Sequence, residues 1–432
     1  MDVVLRGARI WTGDTARPWA ESLLARDGRI VAVGTDHDVA THLTGRETVV
    51  DVDGPLVVPG FVDAHNHIRL GSGSGAVQLH GATSLAEIRA RIGSWLGENP
   101  DAPWVYGEGF GYDAFPEGRY PHADDLAGAC GGRPAMLLDY SVHAALFNHE
   151  ALSALGVTAS TTHVPYGWFE HDDDGALTGY LHDYATKGLS RAGLAALKEL
   201  VPVFSDDEQY ARVRAGLDMA ARYGITTVVE SQNSLDDLAL FARARDEGAM
   251  RSRVVAALFH PPGTTADDLA GFERAIAAEQ GDLFRLGPLK LYIDDIVEPH
   301  TAAMLAPYAN RPDTSGSAYY EPSEFDELIA RLDARGLQCF VHATGDRGNR
   351  LVLDAFEHAR RVNGVRDSRH QVVHVECLDA ADVPRFGELG VVACMQPRHC
   401  APEIVREWRA NVGEQRWRHA GHGAAVGRSG ID

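Results

Sequence analysis

The feature that most limits what this chain can fold into is a series of seven short apolar runs: Val57 to Ala64, Ile225 to Val229, Val254 to Phe259, Leu289 to Ile293, Cys339 to His342, Val372 to Val375 and Val391 to Met395. Amphipathic helical patterns lie between them. One runs from Ser323, a candidate N-cap, to Arg335 and is closed by Gly336, and another covers Asn349 to Arg361. Strand-like runs alternating with helices predict a parallel α/β fold. A closed (β/α)8 barrel needs eight strands, and an eighth run is not visible. A missing strand leaves two unpaired edges, so reduced stability or oligomerisation, in its simplest form a homodimer, is expected.

The rest of the chain is organised differently. Residues 1 to 52 carry short β-like runs, Val3 to Leu5, Ser22 to Ala25, Arg29 to Val33 and Thr48 to Val52, with turns such as Asp27-Gly28, and predict a small β-layer. From about Gly71 to Ser190 the pattern loosens into an insertion, with a strand at Ala135 to Tyr140 and a helix at Ala144 to Leu155. Its aromatics (Trp104, Tyr106, Phe110, Tyr112, Phe115, Trp168, Phe169) either line an apolar pocket or pack the insertion itself. The 432 residues are too many for one small core, and 45% apolar content suits a soluble globular protein. A net charge of -21 without any long Lys/Arg run argues against nucleic-acid binding. Without a signal-peptide pattern or an apolar stretch of roughly 18 residues, no membrane association and a cytoplasmic location are expected. Five cysteines without CxxC spacing (Cys130, Cys339, Cys377, Cys394, Cys400) read as reduced thiols.

Chemistry gathers at the ends of the runs. His65 and His67 close the first, and residues two apart on a strand project to one face, where two imidazoles can hold one ion. Two surface or hydrogen-bonded histidines are the alternative. Lys290 lies inside PLKLYID, where an unpartnered ammonium costs several kcal/mol, so a pair with Asp294 or Asp295 is one solution. His342 ends CFVHATGD and His374 ends QVVHVE. A single strand-terminal histidine is commonly a satisfied core group. Histidines at three strand ends point to one centre, because the C-terminal ends of barrel strands converge on one face. Such donors suit Zn²⁺, one ion or two, with Mn²⁺, Fe²⁺ or Co²⁺ as alternatives. A site of this kind lowers the pKa of water to about 7 and polarises a carbonyl, which favours hydrolysis.

Longer segments carry a resemblance. PGFVDAHNH, DYSVHAALFNHEAL (Asp139 to Leu152), GALTGYLHDYA (Gly175 to Ala185), LGPLKLYIDD, VHATGDRGN and QVVHVE resemble the metal-dependent amidohydrolase superfamily, in its branch of N-substituted formamide deformylases and YtcJ-like proteins, over about residues 1 to 418. The resemblance implies a (β/α)8 TIM-barrel-type fold at 55–418 with its insertion at about 71–190, part of an accessory β-sandwich at 1–54, and an atypical truncated tail at 419–432. It implies metal ligands His65, His67, Lys290, His342 and His374, with Lys290 carboxylated by CO₂ into an oxygen donor. His143, His342 and His374 become the catalytic candidates, and the substrate a small amide-type molecule.

Departures from the pattern stand at His149 (usually Ser), Asp183 (usually Glu) and Asp295 (usually Gly). The family's eighth strand supplies an Asp as general base, whereas here EQRWRHAGHGAAVGRSGID ends on Asp432. Losing that base removes roughly 10²- to 10⁴-fold of catalysis. Three readings follow: a hydrolase of amide, formamide or cyclic-amide C–N bonds; a catalytically defective, truncated metal-binding remnant; or a carbohydrate- or peptide-binding protein with structural histidines and no metal. Another carboxylate near the metal, such as Asp294 or Glu376, favours the first over the second.

Overall fold

The computed structural model describes residues 2–71, 75–116, 119–161, 168–182, 205–396, 399 and 408–417. Asp183, Cys400, Asp432 and the whole 419–432 tail lie outside the described residues. The chain divides into two compact units, residues 1–62 with 223–227, and residues 63–222 with 228–432. In the first unit, Val3–Arg6 pairs antiparallel with Ser22–Arg26 and parallel with Thr48–Asp51, and Val4, Leu24 and Val39 form its small core. A second, three-stranded sheet is built from Arg9–Trp11, Trp19–Ala20 and Leu56–Val57.

Seven strands in chain order make the central sheet: β1 Phe61–Asn66, β2 Ile225–Asn233, β3 Arg253–Phe259, β4 Phe284–Tyr292, β5 Cys339–Ala343, β6 Gln371–His374 and β7 Val392–Cys394. Each pairs with its neighbour in sequence, and every pair from β3 to β7 is parallel. This is the sheet of a (β/α)8-type barrel with seven strands among the described residues. Its two edges approach through one side chain, the Cys394 thiol lying 3.6 Å from the carbonyl oxygen of Ala64. Ala257, Phe340, Val373 and Cys394 fill the interior beneath the strand ends.

Three local expectations are corrected. The run at Val57 to Ala64 is split: Pro59 cannot donate to a ladder, so Leu56–Val57 joins the three-stranded sheet and β1 begins at Phe61. The segment Ala144 to Leu155 is a strand, Ala145–Phe147, followed by a helix, His149–Ala154. Asn148 divides them because its side-chain oxygen accepts the amides of both Ala135 (2.8 Å) and Ala151 (2.9 Å). Helix α1, Pro322–Ala334, starts before Ser323, with Pro322 in the first turn, where a missing N–H costs nothing. Gly336, at φ +77°, does close it.

The insertion is a layer of its own. Its six-stranded sheet runs from Val77–Gln78 through Val105–Phe110, Ala135–Asp139, Ala145–Phe147 and Leu177–His182 to Trp168–His171. Alternation along one strand serves both faces, with Leu137 in one core and Met136 and Leu138 in the other.

One buried carboxylate fixes the tops of β4 and β5. Asp294, fully buried just beyond β4, accepts backbone amides from Ala303 (3.0 Å), Thr344 (3.0 Å) and Gly345 (2.9 Å). Helix α2, Asp346–Asn363, starts there, three residues ahead of the Asn349 predicted. A Cβ at Gly345 would sit 2.0 Å from the Ala303 carbonyl oxygen, and one at Gly348 would sit 2.4 Å from the Asp294 carboxylate. Gly345→Ala is therefore expected to lower unfolding free energy by about 3 kcal/mol, the upper end for overpacking. Gly93→Ala, whose Cβ meets open space in the helix Leu85–Glu98, should raise it by roughly 0.5–1 kcal/mol. Urea denaturation of both variants checks the pair, and equal midpoints would contradict this account of the loop.

Candidate metal centre

The first histidine pair is held by local hydrogen bonds. Asp63 accepts the backbone amide of His65 (3.2 Å) and the side-chain amide of Asn66 (2.7 Å), which sets the turn at the end of β1. Beyond it, the Ile68 amide donates to Glu230 on β2 at 2.6 Å, and burial pushes that carboxyl up to about 7. The His65 and His67 rings end with their centroids 5.1 Å apart. His65 lies 4.9 Å from His374, and His374 lies 4.5 Å from His342. The structure thus gathers the histidines of β1, β5 and β6 at one place.

His374 arrives by an unusual route. Val373 faces the barrel interior, so strand alternation would turn the next residue away. His374 and Val375 instead adopt left-handed backbone, at φ +80° and +51°. Such conformations cost of order 1–3 kcal/mol per residue, more readily borne by glycine than by a β-branched valine. The Val375 amide is anchored on the Ala343 carbonyl at 3.1 Å and that of Cys377 on Thr344 at 2.7 Å, and the His374 ring faces the centre.

Lys290 sits in β4 with no exposed surface. Its Nζ has no hydrogen-bond partner and rests 4.7 Å from the Tyr292 ring and 5.3 Å from the Phe340 ring. The expected pairing with Asp294 or Asp295 is not found. Asp294 is taken by three amides, while Asp295 binds the Thr301 hydroxyl (2.6 Å) and Nδ1 of His143. Burial drives Lys290 down to about 7. Burial, reinforced by the Lys290 charge, takes His65 and His342 well below the usual imidazole range and His67 down to about 3. His374 is lowered too, by burial and then by its neighbours His342 and His65. The rings are therefore neutral, the form in which imidazole binds a metal.

Orphaned atoms test whether an ion fits. Nδ1 of His65, His342 and His374 and Nζ of Lys290 are all buried without a hydrogen-bond partner. Buried polar groups are ordinarily satisfied, so four orphaned nitrogens of metal-donor type on neighbouring strand ends fit a ligand set, while the donor atoms that lie within 4.8 Å of one another among the described residues are those of His374, Glu376 and His399. The His342 Nε2 lies 3.1 Å from the Asp295 carbonyl oxygen, an outer contact that fixes the ring with Nδ1 available.

These residues open on a cavity of about 370 Å³. Its wall includes His143, whose ring is 5.5 Å from that of His342, together with Tyr140, Tyr292, Glu298, Glu376 and His399. Glu298 accepts the Tyr140 hydroxyl at 2.9 Å and is raised to about 8 by burial and by Glu376. The seven insertion aromatics are not among its described lining; Phe110, Phe115 and Phe169 are buried in the insertion's own cores. His149 pairs with Asp124 at 2.7 Å, in an exposed position away from the cavity.

Residues 48–431 match the amidohydrolase family. The chain belongs to that family. Hydrolase chemistry comes with membership; the bond cleaved does not. The chain is 27% identical over 411 residues to the Arabidopsis thaliana protein LONG AFTER FAR-RED 3, covering 92% of this chain and 68% of that one. It is 26% identical over 415 residues to the N-substituted formamide deformylase of Arthrobacter pascens, covering 94% and 75%. The crystal structure of an uncharacterised metal-dependent hydrolase from Pyrococcus furiosus superposes with a TM-score of 0.72 at 23% identity, covering 99% of this chain and 83% of that one. That likeness establishes the amidohydrolase fold.

Sequence reasoning passed over His399 and Glu298 as site residues. His399 lies five residues beyond the end of β7, whereas His67 directly follows β1, so the strand-end rule that found the other histidines does not reach it. Glu298 sits in an irregular loop after β4 and offers no comparable signal.

Lys290 generates a test. Unfolding returns its usual proton affinity, so the unfolded chain binds more protons between about pH 7 and 10.5. The destabilisation is full below pH 7 and shrinks as pH rises through that window, by up to about 1.4 kcal/mol per pH unit. Metal-free Lys290→Met should exceed metal-free wild type in stability at pH 7, with the gap closing toward pH 10. Urea unfolding at several pH values measures it, and parallel pH curves would exclude a charged, buried Lys290.

Proposed function

We propose that this amidohydrolase cleaves a C–N bond in a small amide, formamide or cyclic amide, at a centre of one or two divalent ions held by His65, His67, Lys290, His342 and His374. The observation that carries this reading is the set of buried, unpartnered nitrogens contributed by β1, β4, β5 and β6. Zn²⁺ suits neutral imidazoles best, with Mn²⁺, Fe²⁺ and Co²⁺ as alternatives. When bound, the ion supplies Lewis-acid polarisation of a carbonyl and a lowered pKa for water.

The chain's own residues divide the remaining work. Lys290, held near neutrality by burial, offers the free amine that reacts with CO₂, and its carboxylated form would be an anionic oxygen donor replacing a buried cation. Asp295 orients His143, which faces the cavity beside His342 and is placed to hydrogen-bond a substrate oxygen or nitrogen. Tyr140 and Glu298 form a hydrogen-bonded pair on the same wall, a neutral donor and acceptor for an amide. A cavity of about 370 Å³ suits a small organic molecule. The deformylase relative, which acts on N-substituted formamides, supports starting the substrate search there.

Purified protein is expected to contain near-stoichiometric metal by mass spectrometry, and His65→Ala to lose at least one equivalent. In a screen of formamides and cyclic amides, His65→Ala and His342→Ala should each reduce kcat/KM by about 10²-fold or more. Folded wild-type protein that neither contains nor takes up metal would overturn the reading.

A further inference from the structure

Two side chains on the cavity wall, Glu376 and His399, lie outside the ligand set above and stand beside one of its members, His374. His374, Glu376 and His399 each offer a donor atom within 4.8 Å of the others. We propose that they form a second cation position, for a divalent transition ion such as Zn²⁺, on the side of the cavity where β6 and β7 end. The proposal rests on the reading of this cavity as a metal centre, but its ligands Glu376 and His399 are additional to that centre.

Glu376 is only 4% exposed, and its Oε2 is buried with no hydrogen-bond partner. Its other oxygen lies 2.5 Å from Nδ1 of His399. A hydrogen-bonded His–Glu pair would account for those two atoms and leave Oε2 unexplained, at a cost of about 1–3 kcal/mol for a desolvated acceptor. A cation satisfies it. The His374 and His399 rings are stacked, with centroids 5.0 Å apart and planes 12° apart, and a donor nitrogen of each lies within 4.8 Å of a Glu376 oxygen. His374 also has a buried, unpartnered Nδ1. Two imidazoles and one carboxylate are a three-ligand set that leaves coordination positions open. The left-handed backbone at His374 and Val375 places Glu376 beside the ring two residues earlier. A third carboxyl group, Glu298, lies close enough for Glu376 to raise its proton affinity, and Lys290 is the nearby cation whose charge also acts on His374.

The test counts Zn²⁺. Metal-free full-length protein is titrated with Zn²⁺ alone, desalted, and assayed for bound metal by mass spectrometry, with circular dichroism to verify folding. Wild type should hold two ions. Glu376→Gln, which keeps the side-chain shape, and His399→Ala should each hold one, with the second bound at least tenfold more weakly, and His65→Ala should keep the ion that those variants lose. A wild-type count of one, or variants that retain both ions at unchanged affinity, would overturn the proposal. One ion removed by His65→Ala and untouched by Glu376→Gln would leave the proposed hydrolytic centre standing without this position. One lost only in Glu376→Gln and His399→Ala would remove the main centre instead.

Discussion

A single carboxylate, Asp294, ties the site to the scaffold. Fully buried, it is held by three backbone amides from two separate loops, and burial raises its proton affinity well above the usual carboxylate range despite those bonds. Its position at the exit of β4, with the Thr344 and Gly345 amides at the exit of β5, locks together the strand that carries the buried Lys290 and the strand that brings His342 to the cavity. Asn349 reinforces the loop by donating to the carbonyls of Gly345 (2.9 Å) and Cys377 (3.0 Å), which brings the segment after β6 into the same network.

The centre built on that frame is costly when empty. Buried imidazole Nδ1 atoms without hydrogen-bond partners and a desolvated amine are each unfavourable, and a left-handed His374–Val375 adds backbone strain. A protein tolerates such a concentration of unfavourable terms where a ligand reverses them, and binding energy at such a place is also folding energy. The same arithmetic explains why the groups stay neutral: with one another as neighbours and little solvent, protonation of any histidine here is opposed first by burial and then by the charges around it.

Much of this was legible in the chain itself. All seven barrel strands were placed by their apolar runs, and the residues at their ends, His65, His67, His342 and His374, do meet, because parallel strands deliver their C-terminal ends to one face. What periodicity could not foresee came from tertiary pairing and backbone exceptions. The apolar stretch before Asn148 read as helix yet became a strand because two neighbouring strands were there to pair with it. His374 reaches the cavity only by departing from strand alternation, and nothing in QVVHVE announces that departure. The aromatics of the insertion were ambiguous by nature, since ring side chains serve cores and pockets alike; here six of the seven serve the cores, and Trp168 stacks on His182.

The loop around Asp294 serves the scaffold more than the cavity. In VHATGDRGN only His342 faces the cavity. Thr344 and Gly345 serve Asp294, Gly348 leaves room for it, Asp346 accepts the Leu305 amide at 2.7 Å, and Asn349 binds carbonyls. Most of this segment is therefore a record of how the scaffold is knotted together. Those contacts lie beneath the cavity and are set by sterics and hydrogen bonding, so they place His342 without deciding which molecule the cavity takes.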